Sequence, residues 1–357
     1  MLALLAAAGM ALALFLAAVG WFVFIPGKPL PEGPRGVGRL EAALRDRQGR
    51  AIPITIWYPT AAAARNAAPL ENAPFDATTN TPLILYSPGW AATRRQSSAQ
   101  TENLASHGFV VVACDDYAND VTTDPDFGAG FDVSSDGAMA ASMERAGRHV
   151  TTQGDRIVAV LNALAAGQVP MLAGRLDLGR VGVLGLSVGG ASGLQAALID
   201  PRIVAVLNLD GGLFGPPATR VGSHAYFLVS SREAFPSQAD LSSTDAETRN
   251  NALVSVRDLP LNARRMERPG NYWALLETAD HGDLSDELFV FSRRTLFRSN
   301  SQRRAVHAAI RAYEIAFFQS ALGGDPEPLR VLLGQTLQNT RWINATWTPA
   351  GAAKARQ

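Results

Sequence analysis

Cysteine and lysine are nearly absent from this chain, and each scarcity removes a class of explanation. Among 357 residues there is one cysteine, Cys114, so no disulfide forms within the chain and cysteine-based metal sites are excluded. Cys114 closes the apolar run Phe109-Val110-Val111-Val112-Ala113 and reads as a buried thiol, since no neighbouring base marks it as a nucleophile. Only Lys28 and Lys354 are lysine; the other basic residues are arginine, and 32 basic side chains balance 32 acidic ones. With no excess of either sign, nothing global points to a nucleic-acid partner. No His-Glu-x-x-His helix or Cys/His cluster is present, so neither a metal nor another cofactor is expected.

Charge is also missing from Met1 to Ile25, an almost wholly apolar stretch long enough to cross a bilayer core as a helix. A signal peptide would carry a basic start and a small-x-small cleavage site; here Ala17-Ala18-Val19-Gly20 offers only a faint version, so an uncleaved anchor over 1–27 is the expectation. Trp21, Phe22 and Phe24 before Pro26-Gly27-Lys28-Pro29 resemble an interfacial aromatic belt and a helix stop. Lys28, Arg35 and Arg39 favour a cytoplasmic domain on a bacterial inner membrane, whereas cleavage would make the protein periplasmic or secreted.

Residues 28–38 are rich in Pro and Gly and read as a linker to a catalytic domain over 39–325, with a tail over 326–357. Within that domain 51–59, 81–87, 109–113, 181–184, 203–209, 225–229 and 273–278 read as strands. Helical stretches such as 155–166, 190–198 and 302–322 separate or follow them. This alternation predicts an α/β fold with a mostly parallel central sheet flanked by helices, whose ligands gather at the carboxyl ends of the strands. The polar segment 231–271, with a helix start at Thr244-Asp245-Ala246-Glu247, is expected as an insertion near the site.

Gly185-Leu186-Ser187-Val188-Gly189 follows the strand-like Arg180-Val181-Gly182-Val183-Leu184 and precedes a helical run. That context predicts a nucleophile elbow, a serine on a tight strand-to-helix turn that needs small neighbours two residues either side. A serine hydroxyl is a weak nucleophile at neutral pH and requires a histidine base, itself oriented by a carboxylate. Of five histidines, His281 follows the last predicted strand, where the base belongs; His107, His149, His224 and His307 lie in helical runs or at element ends and read as structural or surface residues. Two carboxylates compete for the third role. Asp210 closes the apolar strand 203–209, and Glu233 follows the next strand.

Leu85-Tyr86-Ser87-Pro88-Gly89-Trp90, together with Leu104-Ala105-Ser106-His107-Gly108-Phe109-Val110-Val111, resembles the platelet-activating-factor acetylhydrolases, group VII phospholipases A2 of the α/β-hydrolase fold. The resemblance spans roughly 38–212 and the His281 region. Pro88 stands where the family's third-strand loop carries a histidine, and 231–271 has no counterpart. The family's Leu-Asp motif beyond the nucleophile matches Leu209-Asp210, which implies a Ser187, Asp210, His281 triad with Asp210 as the acid. It also implies an oxyanion hole from the backbone N–H groups of Trp90 and Val188, and an ester hydrolase removing short acyl groups from phospholipid. A general carboxylesterase resembling dienelactone hydrolases, acting on soluble esters, and a catalytically silent membrane-tethered binding protein are the competing readings.

Overall fold

The computed structural model describes residues 6–7, 9–16, 27–76, 80–119, 130–290, 300–335 and 337–343. Ten strands form one sheet in the order β10-β9-β8-β7-β6-β4-β5-β2-β1-β3. They are β1 (Gly36–Arg45), β2 (Ala51–Thr60), β3 (Leu70–Glu71), β4 (Thr81–Ser87), β5 (Val110–Cys114), β6 (Leu176–Leu186), β7 (Ile203–Leu209), β8 (Ala225–Ser231), β9 (Tyr272–Leu276) and β10 (Thr340–Trp342). From β5 through β4, β6, β7 and β8 to β9 every pairing is parallel, while β1–β2, β2–β5 and β9–β10 are antiparallel.

The parallel strands read as unbroken apolar runs because both faces are covered. Leu83 and Leu85 of β4 and Val110, Val112 and Cys114 of β5 point into one core, and Ile84, Tyr86, Val111 and Ala113 into the other. Successive side chains of a strand alternate faces, so each strand feeds both layers. The first layer holds side chains of α2 (Asp136–Ala165), α3 (Val188–Ile199) and α4 (Ala246–Met266). The second holds α1 (Ser98–Ser106), α5 (Asn300–Gly323) and α6 (Glu327–Leu333). Helix α4 starts at the expected place, with the Asp245 side chain accepting from the Thr248 amide as N-cap.

Two terminal segments differ from their sequence reading. Residues 28–38 are not a free spacer. The Lys28 ammonium meets Glu102 at 2.5 Å, the amides of Glu32 and Gly33 donate to the Asn103 and Ser106 side chains, and β1 begins at Gly36. A proline-rich strand has no internal hydrogen bonds, so its amides are available to the polar face of α1. Likewise, the expected tail contains α6 and the edge strand β10, which pairs with β9 and covers that flank of the sheet. Three residues are too short a run for periodicity to mark as a strand.

Of the expected membrane-crossing helix over 1–27, residues 6–7 and 9–16 are helical and exposed, Gly27 is described as coil, and the remainder lies outside the described residues. Among the described residues no helix is long and apolar enough to cross a membrane.

Candidate active site

Strands β6 and β7 deliver two of the predicted residues side by side. Ser187 follows β6 directly and donates its backbone N–H to Leu209 O at 2.8 Å; Asp210 is the next residue of that neighbouring strand. Ser187 has φ 56° and ψ −130°, a region that strains a non-glycine residue by about 1–3 kcal/mol and that recurs at functional turns. Its surroundings explain how the turn closes. A Cβ on Gly185 would collide with the Gly189 carbonyl, and one on Gly189 would strike the Ser87 and Pro88 carbonyls. Glycine at these positions is therefore a steric requirement of the elbow.

Asp210 also has positive φ, 53°. The turn after it is pinned by Asn208, whose side chain accepts from the Gly211 amide at 2.8 Å and donates to the Gly211 carbonyl at 3.0 Å. The Asp210 carboxylate, nearly buried, accepts three hydrogen bonds: His281 Nδ1–H at 2.8 Å, Ser231 Oγ–H at 2.6 Å and the Ser231 amide at 2.9 Å. Burial works against the charged form, but these donors outweigh it and hold the carboxyl below its usual range. His281 experiences the reverse balance. Burial disfavours its charge, yet the hydrogen bond and charge of Asp210, followed by the charges of Glu233 and Glu287, lift it above its ordinary value. Because Nδ1 is committed to Asp210, Nε2 is the ring nitrogen left for proton exchange.

The loop holding His281 is fastened to α1. The Asp286 carboxylate accepts from Ser98 Oγ and the Ala99 amide, the Asp286 amide donates to Gln96 O, and Gln100 Nε2 donates to Leu284 O. Gln96 also accepts from the Gly89 amide at 2.8 Å, so one short stretch of chain steadies both the histidine loop and the loop carrying Trp90. A Cβ built on Gly89 would lie 3.5 Å from Ser187 Cβ, which sets that second loop against the serine. Val188 opens α3, whose N-terminal amides and dipole favour negative charge. Trp90 and Val188 share a small apolar cluster with Ala146, Val150, Ala191 and Phe214, flanked by Phe131 and Met143.

The remaining sequence candidates sit elsewhere. Glu233 is exposed in the turn after β8, and the end of that strand gives Asp210 a partner in Ser231 instead of a rival acid. His224 and His307 are buried and pushed down, to about 4 and about 3, by loss of solvent and then by nearby arginine charge. His107 bonds the Asn103 carbonyl at the end of α1, and His149 pairs with Asp116 inside the fold. Cys114 is buried in β5, where burial raises its thiol pKa. Among the described residues no group of three or more His, Cys, Asp or Glu side chains is arranged to hold a metal ion. Sequence reasoning missed Ser231, Asn208 and Gln96; the only available signal was a polar residue at or beside a strand end.

No protein of curated function matches this sequence. The family model "Platelet-activating factor acetylhydrolase, isoform II" matches residues 50–123, the stretch from β2 through the Trp90 loop, α1 and β5, and stops short of Ser187. Among solved structures, a ferulic acid esterase from Streptomyces cinnamoneus superposes with a TM-score of 0.62 at 20% sequence identity, covering 90% of this chain and 100% of that one. With its strand order and flanking helices, the chain therefore has the α/β-hydrolase fold and resembles the platelet-activating-factor acetylhydrolases.

Proposed function

We propose that this protein is a serine-dependent ester hydrolase in which Ser187 is the nucleophile, His281 the general base and acid, and Asp210 the residue that orients and charges the imidazole. The observation that carries the reading is the 2.8 Å hydrogen bond from His281 Nδ1 to Asp210 beside the strained Ser187 elbow. His281 Nε2 takes the proton as Ser187 Oγ attacks the ester carbonyl, and the imidazolium that forms is stabilised by Asp210. The tetrahedral oxyanion meets the backbone N–H groups of Trp90 and Val188. Such donors act where charge develops, and each is worth about 10²–10³ in turnover. His281 returns the proton to the leaving alcohol, then activates the water that cleaves the acyl-enzyme.

For the substrate we infer a phospholipid carrying a short acyl group. The match to the acetylhydrolase family model over the Trp90 loop supports this, as does the charge-free segment Met1–Ile25, read as a membrane anchor. A second reading, a carboxylesterase acting on soluble esters with bulkier or aromatic acyl groups, is favoured by the aromatic side chains of Trp90, Phe131 and Phe214 around Val188 and by the esterase among the structural neighbours. Turnover of an sn-2 acetyl phospholipid, a short p-nitrophenyl ester and methyl ferulate, each with the native protein and with Ser187→Ala, separates the readings. Preference for the phospholipid supports the first, preference for either soluble ester the second, and no serine-dependent turnover with any ester indicates a silent binding protein.

A further inference from the structure

A second histidine–aspartate pair lies inside the fold against Trp90, and the proposed chemistry gives it no task. Asp116, just past β5, and His149, midway along α2, are both fully buried, with His149 Nε2 2.8 Å from Asp116 Oδ2. Sealing an ionisable pair away from water contributes little net stability compared with apolar residues of the same volume. Its contacts point to a different purpose. Asp116 Oδ1 accepts the backbone N–H of Ala91 at 2.8 Å, and the Asp116 amide donates to the Ala92 carbonyl at 3.1 Å, so both residues following Trp90 are tied to this one aspartate. Asn119, three residues on, adds a bond from its side chain to the same Ala92 carbonyl at 2.7 Å. On the other side of Trp90 the Gly89 amide is held by Gln96. The indole lies against the His149 ring, with centroids 4.2 Å apart and planes inclined by 31°.

Ala91 has φ 52°, a left-handed conformation that an alanine does not adopt unless its surroundings impose it. The Asp116 carboxylate holds that conformation by accepting the Ala91 N–H, and the carboxylate is itself held by His149 Nε2 at Oδ2 and by the Ala118 amide, which donates to Oδ1 at 3.1 Å. We propose that His149 and Asp116 are positioning residues that aim the Trp90 backbone N–H at the oxyanion. This rests on the reading of Trp90 and Val188 as the oxyanion donors of a serine ester hydrolase. Neither side chain touches the reacting atoms. Their effect passes through the peptide units on either side of Trp90, which lock the intervening amide before substrate arrives, the preorganisation that makes an oxyanion donor effective.

The test separates the ring from the donor. His149→Phe keeps a ring against Trp90 and loses the donor, His149→Gln keeps an amide donor and loses the ring, and Asp116→Asn removes the charge. For the full-length protein and these variants, kcat and KM on a short p-nitrophenyl ester are measured with thermal midpoints. Affinity for a trifluoromethyl ketone, which forms a tetrahedral oxyanion on the serine, is measured alongside. An oxyanion donor out of line predicts that His149→Phe lowers kcat by about 10²-fold with KM within about twofold, because only transition-state stabilisation is lost. The ketone's affinity falls in parallel, and His149→Gln recovers part of both. Should His149→Phe not fold, His149→Gln and Asp116→Asn carry the same comparison. A Ser187-dependent turnover whose kcat and ketone affinity stay unchanged in every folded variant overturns the positioning role alone. A turnover that Ser187→Ala leaves intact overturns the reading of the site, and the positioning role with it.

Discussion

The two histidine–aspartate pairs have the same 2.8 Å separation and opposite settings. His281 uses Nδ1 toward Asp210, and its side chain is 40% exposed at the carboxyl end of the sheet. His149 uses Nε2 toward Asp116, and both side chains are 0% exposed. The distance alone would give the pairs equal standing as a base with its acid. Setting decides between them. A base must exchange protons with substrate or water, and only the rim histidine is exposed enough to do so, with Nε2 not engaged by Asp210; the interior one is sealed from solvent. Their surroundings differ in the same way. Asp210 is braced by Ser231 so that it stays ionised behind the imidazole, while Asp116 spends its second oxygen on the backbone of the loop beside Ser187.

The sharpest way to test this contrast is to remove the nucleophile or base. Ser187→Ala and His281→Ala are each expected to lower kcat by about 10⁴–10⁶-fold with a short ester, leaving circular dichroism unchanged. Asp210→Asn is expected to cost about 10⁴-fold, because the imidazole loses its tautomer and its counter-charge. It should also alter the pH profile. A histidine base works only when neutral, and Asp210 lifts His281 above the ordinary imidazole value, so kcat/KM of the native protein is expected to rise with pH through a midpoint higher than that of a free imidazole and then level off. Removing the Asp210 charge moves that midpoint down. The interior pair comes next: His149→Phe costs about 10²-fold in kcat with no shift of the midpoint, as expected of a residue acting through an amide. Ser231→Ala takes two roles from one side chain, a bond to Asp210 and a bond from the Glu233 amide, and is expected to lower kcat by about tenfold. Glu233→Gln is the smallest change. It leaves kcat within about twofold and lowers the pH midpoint slightly, since Glu233 only adds to the field that raises His281. A large loss on Glu233→Gln would make it the acid and reverse the assignment of the rim pair.

Much of the rim was readable in the sequence because strand ends are readable. Apolar runs ending in Ser187, Asp210 and, past Leu276, His281 mark where a parallel sheet delivers groups, and glycines two residues either side of Ser187 mark a turn that tolerates no side chains. The interior pair was not readable. His149 lies in the middle of a 30-residue helix, 33 positions from Asp116, and nothing local distinguishes a helical histidine that pairs with an aspartate from one that faces solvent. The same holds for Asn208, an apolar-strand residue whose partners are backbone atoms of the turn beyond it and the Tyr226 hydroxyl on the next strand. β1, one strand in from the edge strand β3, escaped for another reason. Its first three positions are all buried, in-and-out alternation starts only at Leu40, and it begins inside a proline- and glycine-rich stretch, so composition masked its period.

The most direct test of the central claim is intact-mass analysis after incubation with a fluorophosphonate, followed by peptide mapping, on the native protein, Ser187→Ala and His281→Ala. With Ser187 as the nucleophile, one adduct forms, mapped to Ser187, absent from Ser187→Ala and much slower to form in His281→Ala, with ester turnover lost in proportion to labelling. An adduct on a different residue, or turnover that persists after Ser187 is fully labelled, would contradict that assignment.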